Sequence, residues 1–267
     1  MATAPDQVQH SVWHAADGLS ERVKRLRDQY FAFDTRAFRN EVLPFTTGTP
    51  WDTVYACASW TNVPEVAPFV RAFEDSLAAA ARPVSLPDGF WHEVLPVRVS
   101  MFFAEVIARH LPVDILEGEL IVGGQFNVAM SLCLNKREAK RRARTTDAFV
   151  SGVTEASNLG IGNCGAVPGH LIPDYARVLR VGFRGIAEEI ESALGECDKS
   201  DQRATLQSFL ITVKAVRAFT ARYADEAERL AAVADHQRAV ELKEIARICR
   251  KVPWNPPNSF YEALQAL

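Results

Sequence analysis

The sequence predicts a mainly α-helical protein with some β structure, and three observations carry that prediction. Apolar residues recur at three- and four-residue intervals along most of the chain. The clearest stripes are Leu206, Leu210, Val213, Val216, Phe219 and Tyr223, then Val240, Ile245 and Ile248. Helix-starting residues frame these stripes: Ser20-Glu21, Pro173-Asp174, and Ser259 with Glu262 three residues on. β character is confined to residues 114–125, a short apolar core between Gly118 and Gly123-Gly124 that reads as a short strand or a buried turn.

Composition bounds the rest. The 267 residues suffice for one large domain or two ordinary ones, and 48% hydrophobic with 24% charged is ordinary globular usage. Thirty bases against 33 acids leave a net charge of −3, which argues against nucleic acid or a membrane surface as the main partner. The five cysteines (57, 133, 164, 197 and 249) are odd in number and show no C-x-x-C spacing. With no secretory leader recognisable, they read as reduced thiols and the expected compartment is the cytoplasm. No apolar run reaches bilayer-spanning length.

In chain order, residues 1–17 are polar and aperiodic, an expected flexible arm; His10 and His14 stand at metal-sharing spacing but lack a third ligand nearby. A helix is expected from Ser20-Glu21, with Val23, Leu26, Tyr30 and Phe33 inward and Arg22, Lys24, Arg25 and Arg27 outward. Residues 45–62 are irregular and aromatic-rich (Trp51, Tyr55, Trp60), and suit packing beneath a loop or a substrate-facing wall. Helices follow at about 65–80 and 97–110. Residues 136–144 hold six basic side chains in nine positions, either a solvated helix face or a patch for an acidic partner. That helix should continue through Ser157 with a break at Gly152. Arg222 and Tyr223 suit surface and packing roles, and Pro253 to Pro257 should end the preceding helix in extended backbone. The last helix, opened by Ser259, has room for about two turns, so the chain reads as cut off in mid-domain.

The stretch that looks functional is Gly162 to Tyr175. Gly162, Gly165, Pro168 and Gly169 exclude a helix or strand interior, and Pro173 suits the first turn of the helix that follows. The loop presents Asn163, Cys164, His170 and Asp174 beside a helix N-terminus, with small residues that allow a ligand to approach. Cys164 reads as a nucleophile served by His170 or as a small buried thiol. Asp174 reads as a helix cap or as a contact to a hydroxyl or cation. Residues 160–165 mimic G-x-G-x-x-G but follow no convincing strand and start no helix. A nucleophile elbow, H-E-x-x-H and a Walker loop are all absent from the sequence.

Several blocks, in order, resemble the pyruvate formate-lyase-like (PFL) domain of glycyl radical enzymes. They are DILEGELIVG at 114–123, GHLIPDYARVLRVGFRGI at 169–186, Arg222-Tyr223-Ala224, ELKEIARIC at 241–249, Val252-Pro253 and FYEALQ at 260–265. The resemblance covers the chain from about residue 20 and implies an N-terminal, helical part of a ten-stranded α/β barrel, with residues 18–267 an incomplete PFL-like domain.

It implies radical chemistry as well. An activase using S-adenosylmethionine and an iron–sulfur cluster installs a glycyl radical, which makes a thiyl radical that abstracts a substrate hydrogen. No catalytic residue carries over. The family's thiyl cysteine precedes Glu by two, as none of the five cysteines here does, and the Arg-Val-x-Gly-Tyr radical motif is missing. What carries over is the substrate pocket: His170, which in the glycerol-dehydratase-like branch meets substrate hydroxyls, with Asp174, Asn163 and Cys164 as its neighbours. The expected substrate is a small organic molecule undergoing diol dehydration, C–N or C–S cleavage, or arylacetate decarboxylation. A homodimer is expected for the complete protein, with no bound metal. Pyruvate formate-lyase proper and a non-catalytic helical binding module are the alternatives.

Overall fold

The computed structural model describes residues 19–31, 45–46, 82–123, 130–158 and 173–267. These form helices α1 (Glu21–Phe31), α2 (Leu95–Glu105), α3 (Lys136–Asn158), α4 (Tyr175–Glu196), α5 (Ser200–Ala231), α6 (His236–Lys251) and α7 (Phe260–Ala266). Among the described residues the only strands are the two-residue β1 (Phe45–Thr46) and β2 (Arg82–Pro83), paired in parallel. The expectations for residues 1–17, His10 and His14, most of 45–62 and the helix at 65–80 fall outside the described residues. No helix among those described is long and apolar enough to cross a membrane.

The long helix α5 is the axis, packing against α6, α2 and α4. Its buried residues include Ala215, Ala224, Ala227 and Ala231 beside Val213, Phe219 and Tyr223. Helix α6 buries Leu242, Ile245, Ala246 and Cys249, the i, i+3, i+4, i+7 positions of one face. Val240, expected in that stripe, is 57% exposed because it lies on the opposite side of α6. Phe102, Val106 and Ile107 complete the core from α2 and the π-helical turn Val106–His110 that extends it.

Helix starts follow their caps. Ser20 Oγ accepts from Val23 N, Asp174 Oδ1 from Arg177 N at 3.0 Å, Asp235 Oδ1 from Arg238 N at 3.0 Å and Ser259 Oγ from Glu262 N at 3.2 Å. Pro173 therefore precedes the cap of α4 and does not occupy its first turn. Asn135 and Glu138 form a reciprocal box at the start of α3: Glu138 N donates to Asn135 Oδ1 at 3.0 Å and Asn135 N to Glu138 Oε2 at 2.8 Å. Helix α3 then runs through Gly152 without the expected break, since one glycine weakens a helix without ending it.

The real break lies in α4. Gly182 has φ +65° and ψ 176°, which divides the helix. The amides that begin its second half are satisfied from outside: Phe183 N donates to Pro253 O at 2.8 Å and Arg184 N to Trp254 O at 2.9 Å. A Cβ at position 182 would meet Trp254 O at 2.5 Å. The Trp254 ring in turn lies under the Arg217 guanidinium at 4.5 Å, which ties this crossing to α5. Gly182→Ala combines a left-handed backbone with a backbone clash and should lower stability by on the order of 2 kcal/mol or more, read as the urea midpoint. An unchanged midpoint would show that the crossing contributes nothing.

Glu262 is the most tightly held carboxylate described. It is 3% exposed, accepts from Lys251 Nζ at 2.5 Å, Arg247 Nη1 at 2.9 Å and Asn258 N at 2.6 Å, and links α6 to α7. The bond from Lys251 is the main cause that brings its pKa down to about 2, against the opposing effect of burial. The folded value lies below the unfolded one, so this stabilisation is complete above about pH 4.5 and is lost as pH falls towards 2. Glu262→Gln should flatten the acid limb of a stability–pH curve over that window. An unaltered limb would remove Glu262 from the acid response.

Candidate functional site

Residues 111–123 are irregular, and their carbonyls, like those at the end of the π-helical turn before them, have no sheet to join. Helix side chains take the place of a sheet, one after another. Arg222 of α5 donates to Ile107 O at 2.6 Å and Leu111 O at 2.7 Å. Arg238 of α6 reaches Leu116 O at 3.2 Å and Glu119 O at 2.9 Å, and Arg22 of α1 reaches Gly118 O at 2.8 Å. Tyr261 Oη donates to Leu120 O at 2.5 Å, while Gln265 brackets Val122 with Nε2 on its carbonyl at 2.6 Å and Oε1 on its amide at 2.9 Å. The strand-or-turn expectation at 114–123 thus resolves to a turn at Glu117-Gly118, with Glu117 exposed and Ile115, Leu116, Gly118 and Val122 buried.

Two sequence expectations are corrected here. Arg22 was expected to face outward, yet its guanidinium pairs with Glu241, which Arg238 also contacts at 2.9 Å. The bond from Arg22 is the main cause that holds the Glu241 carboxyl below its ordinary value. Arg222, expected at the surface, is half-buried against carbonyl oxygens, and burial lowers its pKa. The helical period could not reveal either role, because the partners lie 219 and 115 residues away.

This arrangement leaves an open cleft of about 640 Å³ between the 119–123 segment, α5, the end of α6 and α7. Val122, Phe219, Tyr223, Cys249, Pro253 and Leu264 give it a mostly apolar lining. Phe219 and Tyr223 meet edge to face at 5.2 Å. Burial pushes the Cys249 thiol up to about 12, so it stays protonated near neutral pH and is no nucleophile. Among the described residues the cleft offers an apolar group a surface to pack against, with Glu119 its one acidic side chain. Among the described residues no set of three His, Cys, Asp or Glu side chains comes together to hold a metal.

Of the four residues expected at a substrate site, the structure describes Asp174 alone. It is exposed and caps α4, the capping reading. Asn163, Cys164 and His170 lie outside the described residues. The cleft residues missed in the sequence had one legible signal, the Phe219/Tyr223 pair at i, i+4 on α5.

Residues 137–267 match the family model described as Pyruvate formate lyase-like. The chain is 37% identical over 102 residues to isethionate sulfite-lyase of Nitratidesulfovibrio vulgaris, an alignment covering 36% of this chain and 12% of that protein. It is 32% identical over 103 residues to (2S)-3-sulfopropanediol dehydratase of Klebsiella oxytoca, again 36% of this chain and 12% of the relative. In fold it is similar to a solved glycyl radical enzyme from Archaeoglobus fulgidus, with a TM-score of 0.50 at 24% identity over 69% of this chain and 31% of that one. The chain thus spans about an eighth of the length of these curated relatives.

The protonated Cys249 gives a direct check. In the folded protein at pH 8, iodoacetamide should leave Cys249 unmodified while half-exposed Cys197 reacts, with denaturation releasing Cys249. Peptide mass spectrometry reads both, and early alkylation of Cys249 would contradict its burial.

Proposed function

This chain carries part of a pyruvate formate lyase-like domain of the glycyl radical enzymes, and from that premise we propose that it is the N-terminal part of a radical lyase or dehydratase acting on a small organic substrate. The observation that carries the reading is the family match over residues 137–267, supported by relatives named for cleaving sulfite from isethionate and for dehydrating a sulfopropanediol. Both are short hydroxylated molecules losing a group, which favours C–S cleavage or dehydration over acetyl transfer.

In this reading residues 18–267 are the helical wrapping and part of the pocket, preceded by the arm of residues 1–17. His170 holds a substrate hydroxyl through one ring nitrogen, and Asn163 and Cys164 line the same wall. Asp174 fixes the start of α4 at the end of that loop. These residues bind and orient the substrate and help to exclude water, so that the hydrogen to be abstracted meets the radical in one geometry. Neither the Cys-x-Glu thiyl context nor the radical glycine motif occurs in these 267 residues, so no radical step is assigned to them. The glycyl radical and the S-adenosylmethionine activase that installs it belong to the complete enzyme, which we take to be a cytoplasmic homodimer.

The test begins with the reading frame beyond codon 267, expected to continue into Cys-x-Glu and a late Arg-Val-x-Gly. The complete protein, activated without oxygen, should give a glycyl-radical signal by electron paramagnetic resonance; a silent spectrum would overturn the assignment. His170→Ala should cut kcat/KM by about 10- to 100-fold, the effect of losing one oriented hydrogen bond, with the melting temperature unchanged. Parallel loss of stability would make His170 structural.

A further inference from the structure

The first three turns of α3 carry a concentration of positive charge that the fold does not use. Lys136, Arg137, Lys140, Arg141 and Arg144 are all exposed. At about 100° per residue they fall within an arc of about 140° and extend along about 12 Å of helix. Glu138, the lone acid in the segment, points away from that arc to buried Arg98, whose Nη2 it meets at 2.5 Å. Among the described residues no acid pairs with any of the five exposed cations.

Helix physics argues against this distribution as a stability device. Cations at a helix N-terminus oppose its positive end, and Lys136/Lys140, Arg137/Arg141 and Lys140/Arg144 are like-charge neighbours four apart. Residues 136–144 carry six bases and one acid, so the net charge of −3 for the chain leaves −8 on everything else. Four of the cations, Arg137, Lys140, Arg141 and Arg144, line with Glu138 an open cleft of about 790 Å³ that runs along the helix from Asn135 to Thr145.

We propose that this face of α3 is a docking surface for an acidic polypeptide segment, a run of Asp and Glu side chains on a partner protein. Three observations select a peptide over other polyanions. The acidic remainder of the chain repels an extended duplex or an anionic bilayer, whereas a short peptide meets only the local charge. No aromatic residue interleaves the bases to stack on nucleotides. Alanine is the only apolar residue type between Lys136 and Arg144, too little to insert into lipid.

The full 267-residue chain, titrated into fluorescein-labelled hexaglutamate, should raise its anisotropy, with affinity falling as salt is added. Changing Arg137, Lys140, Arg141 and Arg144 together to Gln should weaken binding by about tenfold or more, the summed effect of four exposed pairs. The same variant should keep its circular dichroism and melt no lower than the parent, because it relieves like-charge repulsion. Equal binding by parent and variant would overturn the proposal. So would tighter binding of duplex DNA or phosphatidylserine vesicles than of hexaglutamate, or a variant that melts markedly lower.

Discussion

Backbone carbonyls that have neither a helix nor a sheet to join are the constraint around which this structure is arranged. A buried carbonyl without a donor costs as much as a lost hydrogen bond, so an irregular segment inside a helical body needs donors brought to it. Between Ile107 and Val122 those donors are guanidinium, phenol and carboxamide groups reaching in from α1, α5, α6 and α7. Arginine is well shaped for such donation, since its planar fork spans two carbonyls at once, as Arg222 and Arg238 both do. Helix α1 and the three consecutive helices α5, α6 and α7 are tied together through this one segment.

The same principle operates at Gly182, in reverse. There the orphans are amides at a new helix start, and the carbonyls of Pro253 and Trp254 satisfy them. Only glycine permits both the left-handed backbone and the close approach. The segment after α6 is thereby fixed between α4 and α5, and Pro253 becomes part of the apolar cleft wall. Cleft and crossing share one piece of chain, so the geometry of the cavity depends on a contact outside it.

Much of the helical frame was legible, and for local reasons. Ser20, Asp174 and Ser259 mark helix starts because a cap is a contact between residues three apart. The family resemblance was legible in ordered blocks of residues, and the match over 137–267 agrees with it. Less legible was which face each residue presents. Val240 fits a helical stripe on paper but points outward, and the buried alanines of α5 carry almost no signal as a hydrophobic pattern. Of the expected pocket residues, Asp174 proved a cap, while His170, Asn163 and Cys164 fall outside the described residues.

By itself the sequence determined where helices begin, that the body is mainly helical, which family its blocks resemble, and that residues 136–144 form a cationic helix. Periodicity, capping and composition are properties of neighbours, and neighbours are what a linear string records. Tertiary structure alone decided that Arg22 and Arg222 turn inward, that α4 breaks at Gly182 and that Cys249 lines a cleft with its proton held fast. Those outcomes depend on donors and acceptors many tens of residues apart meeting at hydrogen-bond distance, and on burial that strengthens each such meeting.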